Sequence, residues 1–303
     1  MWFKALQVFN IDQHADYSEK KLQKNLTDYV FTPCSTVTPK TWGWYPPTDN
    51  PEHELGYFAN GFIMLCLKTE KKLIPPLVVK ELLTQKITAM TKDGLNVSKQ
   101  ERMRLKDEII QDLLPRAFHT ANKTFAYIDT QHHILVIDAA SPKKADDFLM
   151  AFRSTFDYKI TRSDIQNSCS QMTKWLATQN SPNPFIIEDA CLLQNANYQD
   201  SFVKYSGQDL NTNTIKTQLQ QGFYVRQLLM SWDAKLEFVL NEDAVISKIK
   251  FLADVKNLAK NSSRDTELMA FDADFVIMTE TLRAFIQDLS LILTQNAMVT
   301  AAA

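Results

Sequence analysis

Asp272 and Asp274, in the segment FDADF, stand two residues apart. On an extended chain that spacing turns both carboxylates to one face, where they could share a divalent cation. No third ligand accompanies them, so a strand edge or turn cap is the stronger reading and a metal-dependent nuclease the weaker one. His132 and His133 are adjacent inside a polar stretch, without the helical H-E-x-x-H spacing of a zinc site, and read as an exposed turn. There is no G-x-x-x-x-G-K-[ST] and no G-x-S-x-G, so nucleotide hydrolysis and serine-hydrolase chemistry have no signal. Cys34, Cys66, Cys169 and Cys191 are widely separated and form no C-x-x-C pair. They read as buried, reduced thiols rather than as metal ligands or disulfides. The expectation is a protein that is not an enzyme and needs no cofactor or metal.

A different chemistry is written in residues 98–118, SKQERMRLKDEIIQDLLPRAF. At about 100° per residue on a helix, Lys99, Arg102 and Lys106 fall on one side. Met103, Ile109, Ile110, Leu113 and Leu114 continue that side, while Glu101, Glu108 and Asp112 lie roughly opposite. Charge and apolar surface thus share a face. Half of the stripe can meet phosphate while the other half packs on protein, or the cations can lie over apolar neighbours with their heads in water. Just past Pro115, Arg116 and Phe118 fall in an expected turn, where the ring is either buried locally or projects as an anchor into another subunit.

The charge distribution points the same way. Net charge is only -2, yet residues 68–123 hold 12 Lys or Arg against 7 Asp or Glu, and residues 237–288 hold 6 against 10. Such asymmetry can present a positive surface to nucleic acid on a nearly neutral molecule. With 303 residues and 45% hydrophobic content the chain can bury a large core. No apolar run approaches the roughly 18–20 residues of a membrane span, and MWFKALQVFN lacks a basic leader before an apolar stretch, so a cytoplasmic protein is expected.

The elements that must position these residues are mixed. Strands are expected over 2–9, 61–68 and, as a hairpin, 125–140, with further strands in FVKYS, FYVRQLLMSW, KLEFVL, ISKIKFL and DFVIMT. Helices are expected through SEKKLQKNLTDYV, from IPPLVVKELLTQKITAM to the break at Gly94, from a cap at Ser98 to Pro115, and from Ser141–Pro142 onward. TIKTQLQQ and TLRAFIQDLSLILTQ complete the helices, the last with Leu282, Phe285, Ile286, Leu289 and Ile292 at helical spacing. Residues 31–55, dense in Pro and Trp, read as an ordered surface loop. The class is α+β, with largely antiparallel sheets because regular β-α-β alternation is missing.

The ordered blocks MWFKAL, FTPC, GWYPP, ANGFIMLC, LKDEIIQDLLPRAF, YIDT, ASPKKADD and FDADFVIMT span the chain, and in this order it resembles the RdgC family of bacterial recombination-associated DNA-binding proteins. The resemblance implies a ring-shaped homodimer, associated with the nucleoid, that encircles double-stranded DNA without sequence preference and restrains RecA-mediated strand exchange. A protein-only adaptor of the recombinase is the alternative besides the nuclease. It implies a central region (1–75 and 121–160), a protruding helical tip (76–120) and a base (161–303), the last two closing the ring. It makes Arg116 and Phe118 dimer-contact residues, with Phe118 entering a pocket on the other subunit. The DNA-contact candidates are Lys72, Lys86, Lys99, Arg102, Lys106, Lys204 and Gln208. Gly207 stands before Gln208 where the family tends to be more basic, and Lys204 can substitute there.

Overall fold

The computed structural model describes residues 2–163, 168–198, 200–262 and 266–300, with side chains to 294. All strand pairing within its two sheets is antiparallel, confirming the α+β class. The first sheet contains β1 (Gln7–Ile11), β2 (Lys40–Trp44), β3 (Gly56–Ala59), β4 (Phe62–Leu73), β5 (Phe118–Asp129), β6 (Ile134–Ile137) and β7 (Ile160–Arg162). Its order is β2-β4-β5-β6-β1-β7, with β3 also on β4. The second sheet has the order β12-β11-β10-β8-β9 and contains β8 (Phe185–Asn195), β9 (Phe202–Ser206), β10 (Phe223–Trp232), β11 (Leu236–Asn241) and β12 (Ile246–Phe251). The helices are α1 (Glu19–Thr27), α2 (Pro76–Lys92), α3 (Lys99–Leu113), α4 (Pro142–Thr155), α5 (Ser168–Thr178), α6 (Asn213–Gln220), α7 (Ala253–Asn261) and α8 (Glu267–Thr300).

The alternation of side chains along β4 and β5 divides the first sheet into two apolar faces. Ile63, Leu65, Leu67, Ala126 and Ile128 meet α1 through Leu22 and Leu26, and α4 through Ala145, Phe148 and Phe152. On the other face Phe62, Met64 and Tyr127 belong to the core of the second sheet and α8. Helix α8 lies between the sheets. Its Phe275 packs on Phe62, and its Phe285 packs on Phe185, Trp232 and Phe238, the last at a centroid distance of 4.8 Å. Burial of Phe275, Met278, Leu282, Phe285, Ile286, Leu289 and Leu293 follows the helical period along its length.

That helix corrects one expectation. DFVIMT is not a strand but the second turn onward of α8, since a short apolar run carries no period that separates a buried strand from a buried helix. The first strand begins at Gln7 rather than Trp2, and Phe118 opens β5 opposite Leu73 rather than lying in a turn. KTWGW, inside the expected loop, is β2. Trp44 there is fully buried and its indole N–H donates to Thr155 Oγ1 at 2.8 Å, satisfying the ring's one polar atom. Gly43 permits this packing, because a Cβ would stand 2.4 Å from Phe31 Cα on the adjacent segment.

Between β4 and β5, α2 and α3 pack on each other around Val79, Leu83, Leu105 and Ile109, a small apolar cluster distinct from the two main ones. Ser98 caps α3 by accepting from Glu101 N–H, and α3 ends in a 3-10 turn, Leu114–Arg116, which contains Pro115. Ser141 precedes Pro142 of α4 as expected, but its hydroxyl does not cap the helix. Cys66 and Cys191 are buried, and burial pushes both thiols up to about 12; Cys34 and Cys169 are only half-buried, against expectation.

Candidate nucleic-acid and subunit interface

The β4–β5 ribbon pairs for twelve residues, from Phe62 opposite Asp129 to Leu73 opposite Phe118, and carries α2 and α3 at its far end. On α3 the expected stripe divides. Ile109, together with Leu105, which lay outside the expected stripe, turns into α2 and is buried. Lys99, Arg102, Lys106, Met103 and Ile110 line an open groove of about 760 Å³ whose α2 side is Val79, Lys80 and Leu83. Charge and apolar surface do share a face. The floor is apolar and the heads of the cations are exposed around it.

Phe118 is 84% exposed at the foot of this helical pair, and Arg116 beside it is exposed too. A phenyl ring held in water at the start of a strand has an unsatisfied apolar surface. Lys86 lies on the other flank of the pair and reaches Glu108 at 4.0 Å, with Arg104 bridging Glu101 and Glu108 along α3. Lys204 and Gln208 are exposed on or just after edge strand β9 of the second sheet, so the structure does not bring them into the α2–α3 cluster. Gly207 between them has φ +69°, a left-handed turn with open space around its Cα.

Lys72 sits differently. It is 9% exposed, and its ammonium donates to the carbonyl oxygens of Leu114 at 2.8 Å and Thr36 at 2.9 Å. The charge is spent on the C-terminal end of α3, where free carbonyls favour a cation. This geometry braces the helical pair on the sheet and does not offer the lysine to a ligand. Sequence could not show it, because the partner carbonyls are distant in the chain.

Asp272 and Asp274 lie inside a helix, so neither the strand-edge or turn-cap reading nor the weaker one of carboxylates paired on one face holds. On α8, Asp272 and Asp274 diverge by about 200° around the axis, and Asp272 accepts the Tyr57 hydroxyl proton at 2.7 Å. No group of three or more His, Cys, Asp or Glu side chains among the described residues is placed to hold a metal. Nor are the histidines a free exposed pair. His132 Nδ1 lies 3.0 Å from Asp129 Oδ2 and its Nε2 lies 2.7 Å from the Gln287 amide nitrogen, so both ring nitrogens are engaged. His133, at φ +52°, packs its ring on Tyr17.

Asp129 is the hub that sequence reasoning missed. Its carboxylate is fully buried and receives both Arg283 Nε at 2.7 Å and Arg283 Nη2 at 3.1 Å, from α8. Arg283 also reaches Glu280 and lies 4.0 Å from the Phe62 ring centre. Burial pushes the Asp129 carboxyl up, but the bonds from Arg283 and His132 prevail and hold it below its ordinary value. The first sheet is thereby tied to α8 by a charge pair that neither can lose alone.

Comparison with known proteins agrees with the block order in the sequence. The family model described as "Putative exonuclease, RdgC" matches residues 1–296. The "Recombination-associated protein RdgC" of Tolumonas auensis is 33% identical over 292 residues, covering 95% of this chain and 97% of that protein. Its namesake in Aeromonas hydrophila subsp. hydrophila is 33% identical over 289 residues, 94% and 95% of the two chains. That of Yersinia pestis is 30% identical over 292 residues, 95% and 96%. Together with an α+β fold of antiparallel sheets, these matches place the chain in the RdgC family.

Proposed function

We propose that the chain is a sequence-independent duplex DNA binder that closes as a ring-shaped homodimer and restrains RecA-mediated strand exchange by occupying DNA. The observation that carries the reading is the apolar groove edged by Lys99, Arg102 and Lys106, set beside a phenyl ring, Phe118, that has nothing to cover it. The groove of one copy receives Phe118 of a second, with Arg116 at the rim. The cations around it, Lys86, Lys204 on β9 and Gln208 just after that strand face phosphate. Such contacts release counterions and read no bases, and the relatives carry the name recombination-associated protein. Lys72 is assigned to bracing rather than to DNA.

In this reading residues 76–120 form the tip, 1–75 and 121–160 the centre and 161–303 the base, the tip and base closing the ring. The protein works in the cytoplasm on the nucleoid, without a cofactor. Among the described residues no helix is long and apolar enough to cross a membrane.

The test is electrophoretic and hydrodynamic. A random-sequence duplex is titrated across a salt series, and the mass of the free protein is followed by sedimentation. A dimer whose affinity for duplex falls steeply with salt supports the reading. A monomer, or no binding at low salt, contradicts it. Because the family model's description names an exonuclease, the same duplex is incubated with protein and magnesium, and any shortened product would replace binding by hydrolysis as the function.

A further inference from the structure

Away from the α2–α3 groove, a second cleft of about 390 Å³ opens where the N-terminal end of α4 meets the β4–β5 ribbon. Its floor is a square of cross-strand pairs, Leu67 opposite Thr124 and Thr69 opposite Asn122. These side chains lie on the sheet face opposite to Lys68 and Lys123, whose ammonium groups stack on Tyr45. The cleft wall is Ser141, Lys143 and Lys144 of the block ASPKKADD. Asp147 also lines it but is paired with Lys40 at 3.4 Å.

Three independent features converge there. The first turn of a fourteen-residue helix directs its positive end into the cleft, and its cap hydroxyl, Ser141, is not engaged with the helix backbone. Two lysines follow at once. Thr124 is only 5% exposed, yet its hydroxyl has no hydrogen-bond partner among the described residues, whereas Thr69 beside it donates to the Asn122 carbonyl. The Thr124 side chain lines the open cleft, so its hydroxyl is free to bond a ligand there.

We propose that this cleft seats one backbone phosphate of bound duplex DNA, taking hydrogen bonds from Thr124 and from the Lys143 N–H, since Pro142 has none and those of Lys144 and Ala145 bond the Ser141 carbonyl, and charge from Lys143 and Lys144. A tetrahedral oxyanion is the ligand that a helix N-terminus, two ammonium groups and a donor hydroxyl jointly fit. The inference rests on the duplex-binding reading and adds a contact on the central sheet, remote in sequence from the α2–α3 cations.

The test compares three variants with the parent on a labelled 30-base-pair duplex: Thr124→Val, which keeps the side-chain shape, Lys143→Ala/Lys144→Ala, and a control, Lys20→Ala/Lys24→Ala, with the same charge change on α1. Loss of the two cleft lysines is expected to weaken binding about tenfold at 0.1 M salt and to lower the slope of log K against log salt by about 0.9 per subunit, for the one phosphate seated. Thr124→Val is expected to weaken binding a few-fold with an unchanged slope, because a neutral hydroxyl releases no counterion. The control is expected to match the parent. An equal loss in the control, or parental binding by both cleft variants, overturns the site while leaving duplex binding intact. A second arm titrates inorganic phosphate against the protein alone. Saturable phosphate binding by a parent that ignores duplex would assign the cleft to a small phosphate compound and overturn the DNA assignment. A parent that binds neither overturns both readings.

Discussion

The α2–α3 pair and the seam between the first sheet and α8 use charge in opposite ways. In the seam, Asp129 is fully buried and its charge is consumed by Arg283 and His132, with Phe62 beneath the guanidinium. In the helical pair only four apolar residues of the cluster are buried, the ion pairs are half in water, and Lys99, Arg102 and Lys106 ring an open groove. Charge that holds the fold is buried and paired, and charge available to a partner is exposed beside uncovered apolar surface. The contrast assigns stability to one region and binding to the other.

The largest effect expected from breaking that contrast is at Arg283. Arg283→Ala leaves Asp129 buried without its main partner and should cost about 3–5 kcal/mol, read as a lower midpoint in denaturant. An unchanged midpoint would mean that the seam is not load-sharing. The same pair has a pH signature. The Asp129 pKa is lowered on folding, so its contribution is present above the ordinary carboxylate value of 3.8 and is lost as pH falls through the lower folded value. Acid melting of the parent should be steeper there than that of Asp129→Asn. Gly43→Ala comes next, at about 1–3 kcal/mol, because the added methyl meets Phe31 backbone rather than a side chain that can turn away.

On the binding side, Phe118→Ala should leave thermal unfolding of the subunit unchanged, since the ring is exposed, and weaken self-association on the order of thirtyfold. Sedimentation identical to the parent would remove the anchor role. Changing Lys99, Arg102 and Lys106 together to Ala should reduce the salt slope of duplex binding by about 2.7 per subunit. The smallest effect belongs to Glu108→Ala: its pairs with Lys86 and Arg104 are solvent-exposed, and a stability change above about 1 kcal/mol would show the helical pair to be more rigid than its surface charges indicate.

Legibility in the sequence followed the same division. The shared face of Lys99, Arg102, Lys106, Met103 and Ile110, and the Ser98 cap, depend on local periodicity and emerged as expected. The seam depends on residues 154 apart, Asp129 and Arg283, which no local pattern relates. DFVIMT looked like a strand because α8 is covered by two sheets and shows apolar residues all round this stretch. Strand β8 was missed because Glu188 and Asp189 interrupt its apolar run, at a place where its register with β10 shifts. Lys72 was read as a phosphate ligand because composition cannot distinguish an exposed lysine from one bound to the end of a helix.

The most direct test of a ring that holds duplex by charge compares a linear and a covalently closed circular duplex of the same sequence, bound at low salt and then challenged with a salt jump. The account predicts steeply salt-dependent loading on both, with complexes surviving far longer on the circle, where no end allows escape. Equal lifetimes on the two DNAs would contradict encirclement, and absence of binding to either would contradict the duplex-binding reading itself.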